Sequence, residues 1–231
     1  NNTFIDLQAN ELKTTVADIA TIIPSLKTIT QPNFARLGNI NYKGNFTGFI
    51  NDFVAFGTIN TNLGTVTGDI NMKLPQNKPA IYLGKISTES FRLGEFINTS
   101  QLGTIVFNGK LNGIGFKPKE VRANFDGNIR SIEFAGYTYQ NITVKGDFGK
   151  NLFNGSASVN DPNLLLNDLK GSIDFSGPQP QFNFDADLAK ADLRKLKLTL
   201  DDFVLNGHFN LNFTGSNIDN FSGSAKIYNA G

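Results

Sequence analysis

Strict alternation of apolar and polar residues, with Phe and Gly sharing the apolar phase, runs through almost the whole chain. Residues 120–129 carry it most cleanly. Val121, Ala123, Phe125, Gly127 and Ile129 fall on one side of an extended chain, and Glu120, Arg122, Asn124, Asp126 and Asn128 on the other. The phase recurs in Ile105, Phe107, Gly109 and Leu111, in Ile142, Val144, Gly146 and Phe148, and in Phe203, Leu205, Gly207, Phe209, Leu211 and Phe213. Such text predicts an all-β fold in which every strand has one apolar and one wet face.

Little helix is available to cover the apolar face. The sheet must therefore fold on itself, pair with a copy, or curl around something apolar. We expect an elongated, curled, antiparallel-rich sheet, a groove with an apolar interior, over residues 40–228. The alternative is a β-sandwich or jelly roll, which buries the same alternation by packing two faces together. An outer-membrane barrel fits less well, because Trp is absent, only 5 Tyr are present and no aromatic girdles mark the strand ends.

The one early helical signal lies in residues 14–29, where Val16, Ile19, Ile23 and Leu26 recur at three- and four-residue steps behind Thr15, with Asp18 placed to complete a capping box. Pro24 cuts this helix short, so it serves as an end cap rather than a second layer. Turn signals then divide the chain into roughly a dozen strands: Pro75-Gln76-Asn77-Lys78-Pro79, Lys117-Pro118-Lys119, Asp161-Pro162-Asn163 and Gly177-Pro178-Gln179-Pro180. Residues 1–231 read as a single β-rich segment of a longer repetitive protein. Glycine inside a strand costs roughly 0.5–1 kcal/mol relative to Ala. Its repeated use on the apolar face gives either curvature or space beside a Phe for something else to lie against the sheet.

Composition removes several function classes. With 21 basic and 20 acidic residues the net charge is +1, which leaves no footprint for a nucleic-acid backbone. Absence of Cys rules out disulfides, thiolate nucleophiles and Cys-ligated metals, and no window approaches the roughly 20 apolar residues of a membrane helix. The single histidine, His208, alternates with Asn206 and Asn210 on the wet side, and Asp185 and Asp187 share an outer strand face, where solvation explains them better than acid–base work. Asp147-Phe148-Gly149 lacks every companion that a kinase motif needs. Lys190, Arg194, Lys195 and Lys197, interleaved with Leu193, Leu196, Leu198 and Leu200, read as a basic outer face over an apolar inner one, with weak attraction for anionic headgroups as the sharper reading. No enzyme, metal or cofactor is expected.

Residues 101–228 resemble the periplasmic portion of the TamB and wider AsmA-like family. The resemblance rests on Phe125-x-Gly127, Gly136-Tyr137-x-Tyr139-x-Asn141-Ile142, Gly146-x-Phe148, Phe153-x-Gly155, Asp161-Pro162-Asn163, Ala191-Asp192-Leu193-x-x-Leu196-x-Leu198 and Phe221-Ser222-Gly223, in that order. It implies a periplasmic β-trough from a protein anchored in the inner membrane elsewhere in its chain. That trough would conduct phospholipid toward the outer membrane, with an Omp85-type protein as a possible partner in outer-membrane biogenesis. The expected lipid-facing residues are Phe107 and Leu111; Val121, Phe125 and Ile129; Ile142, Val144 and Phe148; Phe153; Phe175; Phe182 and Phe184; Phe203, Leu205, Phe209 and Phe213; and Ile227. A chaperone-like scaffold that receives client strands at its edges is the alternative function.

Overall fold

Each alternating run ends in a turn, so a strand finds its best partner in the next run along the chain. The computed structural model describes residues 3–116, 120–215 and 222–228. Its strands are β1 (Phe4–Thr15), β2 (Asn39–Phe49), β3 (Asp52–Thr61), β4 (Gly64–Lys73), β5 (Ile81–Glu89), β6 (Phe91–Arg92), β7 (Leu102–Ile114), β8 (Arg122–Phe134), β9 (Tyr137–Gly149), β10 (Leu152–Asp161), β11 (Leu164–Asp174), β12 (Gln181–Asp192), β13 (Val204–Thr214) and β14 (Ser222–Tyr228). They form one open antiparallel meander in sequence order, with β6 resuming the line of β5 to pair with β7. No second sheet packs against the first among the described residues, so the sandwich alternative does not describe this chain. Thirteen strands at ~4.8 Å give a stacking axis of roughly 60 Å. The turn at Lys117-Pro118-Lys119 and the residue Phe221 lie outside the described residues.

Register aligns the chemistry into rows that cross every strand. One apolar-face row reads Ala9, Gly44, Gly57, Gly68, Ile86, Gly109, Gly127, Val144, Ala157, Leu169, Ala186, Phe209 and Ile227. A polar-face row three residues nearer the other strand ends is dominated by amides: Asn71, Asn112, Asn124, Asn154, Asn183 and Asn212, with Leu83, Asp147 and Ser172 between them. A slip of one residue would exchange the two faces, and this conflict fixes the register.

The strand ends form two rims. The upper rim carries the β1–β2 connection, the β3–β4 turn, the β5–β7 connection and the turns after β8, β10 and β12. In the first connection lies α1 (Val16–Ile22), whose N-cap is a complete capping box: the Thr15 hydroxyl accepts from the Asp18 N–H at 3.1 Å and the Asp18 carboxylate accepts from the Thr15 N–H at 3.1 Å. Pro24 ends it, and 3-10 turns follow at Pro24–Thr28 and Phe34–Leu37. A second helix, α2 (Leu93–Ile97), was not anticipated; five residues are too few to show a helical period.

Two leucines anchor the upper rim. Leu63 in the β3–β4 turn and Leu196 after β12 are each only 2% exposed. Around Leu63, the Asn62 N–H donates to the Leu37 carbonyl at 3.0 Å and the Arg92 N–H to the Leu63 carbonyl at 2.8 Å, tying three connections together.

Ring contacts register the curl. Phe34, from the upper-rim connection, packs against Phe96 of α2 at 5.4 Å and against Phe116, which follows β7 at the lower rim, at 6.4 Å. Phe96 in turn meets Phe91 at 5.5 Å, and Phe116 stacks on Tyr82 at 5.1 Å. Phe34 thus touches residues from both rims, which a flat strand of this length would hold on the order of 27 Å apart. No helix among the described residues is long and apolar enough to cross a membrane.

Candidate functional site: the apolar trough

The trough is built by the alternation itself. Along β8, Ala123, Phe125 and Ile129 are half-buried and Gly127 is buried, while Arg122, Asn124, Asp126 and Asn128 are exposed. Strong burial is rare on the apolar face because nothing lies over most of it. A sheet covered by a second layer would bury these side chains fully.

Of the anticipated lining residues, Phe107, Leu111, Phe125, Ile129, Ile142, Val144, Phe148, Phe153, Phe182, Phe184, Leu205, Phe209 and Phe213 sit within strands in the apolar phase, linked through the cross-strand register. Their rings pair across strands: Phe125 stacks on Phe153 at 5.9 Å and Phe182 on Phe213 at 4.8 Å. Four other residues are placed differently. Val121 precedes β8, and Phe175 follows β11 at the lower rim, 45% exposed and 6.3 Å from Phe148. Ile227 pairs with Phe209 but is 52% exposed on β14, which has a neighbour on one side only among the described residues. Phe203 departs most from expectation, lying ahead of β13 and 53% exposed. Its carbonyl accepts the Leu193 N–H at 2.9 Å, so the loop's turn hydrogen bonds take it out of the strand that its alternation implied.

The glycines have a purpose that the sequence left open. The Phe107 ring lies over Gly109 and Gly127, where an added Cβ would stand 2.5 and 2.6 Å from ring carbons. Phe153 covers Gly146 and Gly155 in the same way, and Tyr82 covers Gly113. The space beside each of these five glycines is therefore filled by the chain's own ring, and is not a gap left for a ligand. The outcome is a thin, smooth apolar floor, the arrangement by which aromatic rings shield strand glycines.

The basic cluster after β12 also differs from expectation. Residues 193–198 are folded into tight turns, with the Leu196 N–H donating to the Asp192 carbonyl at 2.9 Å and the Leu198 N–H to the Leu193 carbonyl at 2.8 Å. All four cations have protein partners: Lys190 donates to the Pro162 carbonyl, Arg194 pairs with Asp202 at 2.7 Å, Lys195 with Asp192 at 3.1 Å, and Lys197 donates to the Gly136 carbonyl. Leu200 points into solvent at 94% exposure. The cluster is a rim brace.

Polar groups converge in one place. Asp161, 4% exposed, accepts from the Tyr137 hydroxyl at 2.6 Å, the Asn163 N–H at 2.8 Å and the Gln140 N–H at 3.0 Å. Two of its donors come from β9 and one from the β10–β11 turn, so this buried carboxylate is a structural tie between β9, β10 and that turn at the upper rim. Burial, with the Asp161 hydrogen bond second, pushes the Tyr137 phenol above its ordinary range, and burial does the same for Tyr139 and Tyr82. His208 Nε2 lies 3.2 Å from Asp185 on the polar face. No group of three potential metal ligands occurs among the described residues.

Two shallow depressions of about 360 Å³ each lie on the polar face, the first along Asn112, Asn124, Asp147 and Asn154, the second along Asn154, Lys170, Asn183 and Asn210. A twisted sheet is saddle-shaped, so both faces carry hollows, and these follow the amide row. Compared with known proteins, the chain matches no family model, no curated protein and no solved structure.

Proposed function

We propose that this chain is a segment of an envelope protein of the TamB and AsmA-like type, whose apolar trough carries phospholipid acyl chains through the periplasm while headgroups remain in solvent. One observation carries the reading: an apolar face continuous across thirteen strands is left without a second protein layer over β8–β13. Exposing a 16-carbon acyl chain to water costs ~0.8 kcal/mol per methylene, on the order of 12 kcal/mol in all. An uninterrupted apolar floor removes most of that barrier. A floor smoothed by rings over glycines provides no fixed pocket, which suits a chain that must slide.

The contacts of Phe34 with both rims support passage through the C-terminal part, since they bridge the mouth at the level of β5–β7. The test is photocrosslinking in cells with a photoreactive residue at Phe125 or at Asn124, followed by mass spectrometry of attached lipid. The reading requires phospholipid at 125 and little at 124. Lipid at neither position would remove it.

A second reading rests on the outer edges of β1 and β14, which have no strand partner among the described residues. Each presents backbone donors and acceptors to which a client strand could add. Strand addition uses the edges and lipid uses the face, so Phe125→Asp impairs the second while sparing the first.

A further inference from the structure

The polar face is not polar throughout. Val54 and Phe56 on β3, Ile81 and Leu83 on β5 and Ile114 on β7 project from it, each 41% to 57% exposed. Register gathers them: Val54 and Leu83 face Asn71 from its two sides, and Ile81 is paired with Ile114. In the C-terminal half the same row holds Asn124, Asn154, Asn183 and Asn212, so large apolar side chains in this row are confined to β3–β5.

Cations surround the patch. Lys73 lies opposite Ile81, Arg122 opposite Ile114 and Lys85 opposite Lys110, while Lys78 is exposed in the β4–β5 turn. The acidic residues here are Asp52, matched by Lys73 at 3.3 Å, Asp69, paired across strands with Lys85, and Asp126, paired across strands with Lys110. Among the described residues no ion pair engages Lys78, Lys85, Lys110 or Arg122. Five cations against three anions leave a local excess of +2 in a chain whose net charge is +1.

Exposed apolar side chains framed by a net excess of cations have the chemistry of an interfacial membrane contact, with the apolar groups entering the acyl boundary and the cations meeting headgroup phosphates. A second copy of the chain would set the same positive field against itself, which disfavours self-association through this face. We propose that the patch centred on Phe56 and Leu83 docks onto an anionic lipid surface. This does not depend on what the trough carries, because the patch lies on the opposite face of the sheet.

The chain has no cysteine, so single-cysteine variants carry one environment-sensitive fluorophore each. Labels go at Leu83, at Asn183 in the same row, and at Phe125 on the apolar face. Probes are vesicles of phosphatidylcholine alone and of phosphatidylcholine with phosphatidylglycerol. Expected is a blue shift at 83 with phosphatidylglycerol vesicles only and none at 183. Replacing both Lys85 and Lys110 with Gln in the labelled chain should weaken binding about twenty-five-fold, at roughly fivefold per lysine, and added salt should weaken it too. Leu83 and both lysines are exposed, and circular dichroism confirms that the variants fold. An equal response at 183, an equal response to both vesicles, or a lipid-independent dimer shielding the label at 83 each overturns the proposal. A shift at 125 without one at 83 also overturns it, while leaving the trough reading intact.

Discussion

The ring of Phe107 covers Gly127 on the neighbouring strand, so close that a methyl group on Gly127 would stand 2.6 Å from a ring carbon. Gly127 is buried although its side chain is a hydrogen, because the ring is its cover. The two residues act as one packing unit. Gly127→Ala should destabilise the fold by about 1–3 kcal/mol through overpacking. Phe107→Ala should cost about as much by stripping the cover. The double variant should lose less than the sum, because the methyl group then meets only the Asn108 carbonyl oxygen and the Gly109 Cα, at 2.7 and 2.9 Å. Urea melts of the four proteins measure the coupling, and strict additivity would sink the idea.

Phe34 is the ring that meets both Phe96 and Phe116. Phe34→Ala should leave the strands paired and open the mouth of the trough at this level. A photoreactive residue at Tyr82 would then capture acyl chains severalfold more often than with Phe34 in place. No change in capture would mean that the bridge does not govern access.

Acid should weaken the upper rim at β12. The Lys195 N–H is the main cause holding the Asp192 carboxyl below its ordinary range, and the Lys195 ammonium adds to this against the opposing effect of burial. The unfolded chain therefore takes up the proton first as pH falls. The contribution is complete above about the ordinary value of 3.8 and is lost as pH drops below it toward the folded value. Asp174, held down mainly by Ser176, acts in the same sense. Asp192→Asn should flatten part of the acid limb in thermal melts run from pH 5 downward, and an unchanged limb would contradict the assignment.

Alkali should act through tyrosine. Burial raises the phenols of Tyr42, Tyr82, Tyr137 and Tyr139 above the ordinary 10.0. The unfolded chain gives up these protons first, so stability holds below about pH 10 and falls as pH rises past it. Tyr139→Phe and Tyr82→Phe should each soften the fall. Tyrosinate absorbance of the folded chain should appear late and rise together with unfolding.

The alternation of Ala123, Phe125, Gly127 and Ile129 against Arg122, Asn124, Asp126 and Asn128 was sufficient to specify strand, face and fold class, because a period of two has one structural solution and each strand's nearest partner is its sequence neighbour. The helix cap at Thr15 and Asp18 was equally legible, being a contact over three residues. What the sequence could not supply are relations between residues far apart: the rings laid over glycines, Phe34 meeting both rims, Leu196 buried while Leu200 stands in water, and the joining of Val54, Phe56, Ile81 and Leu83 into one patch on the face where alternation promises polarity. Local periodicity decides which side of a strand a residue occupies. Register and curl, which depend on how the strands pair along the whole sheet, decide what lies beside it.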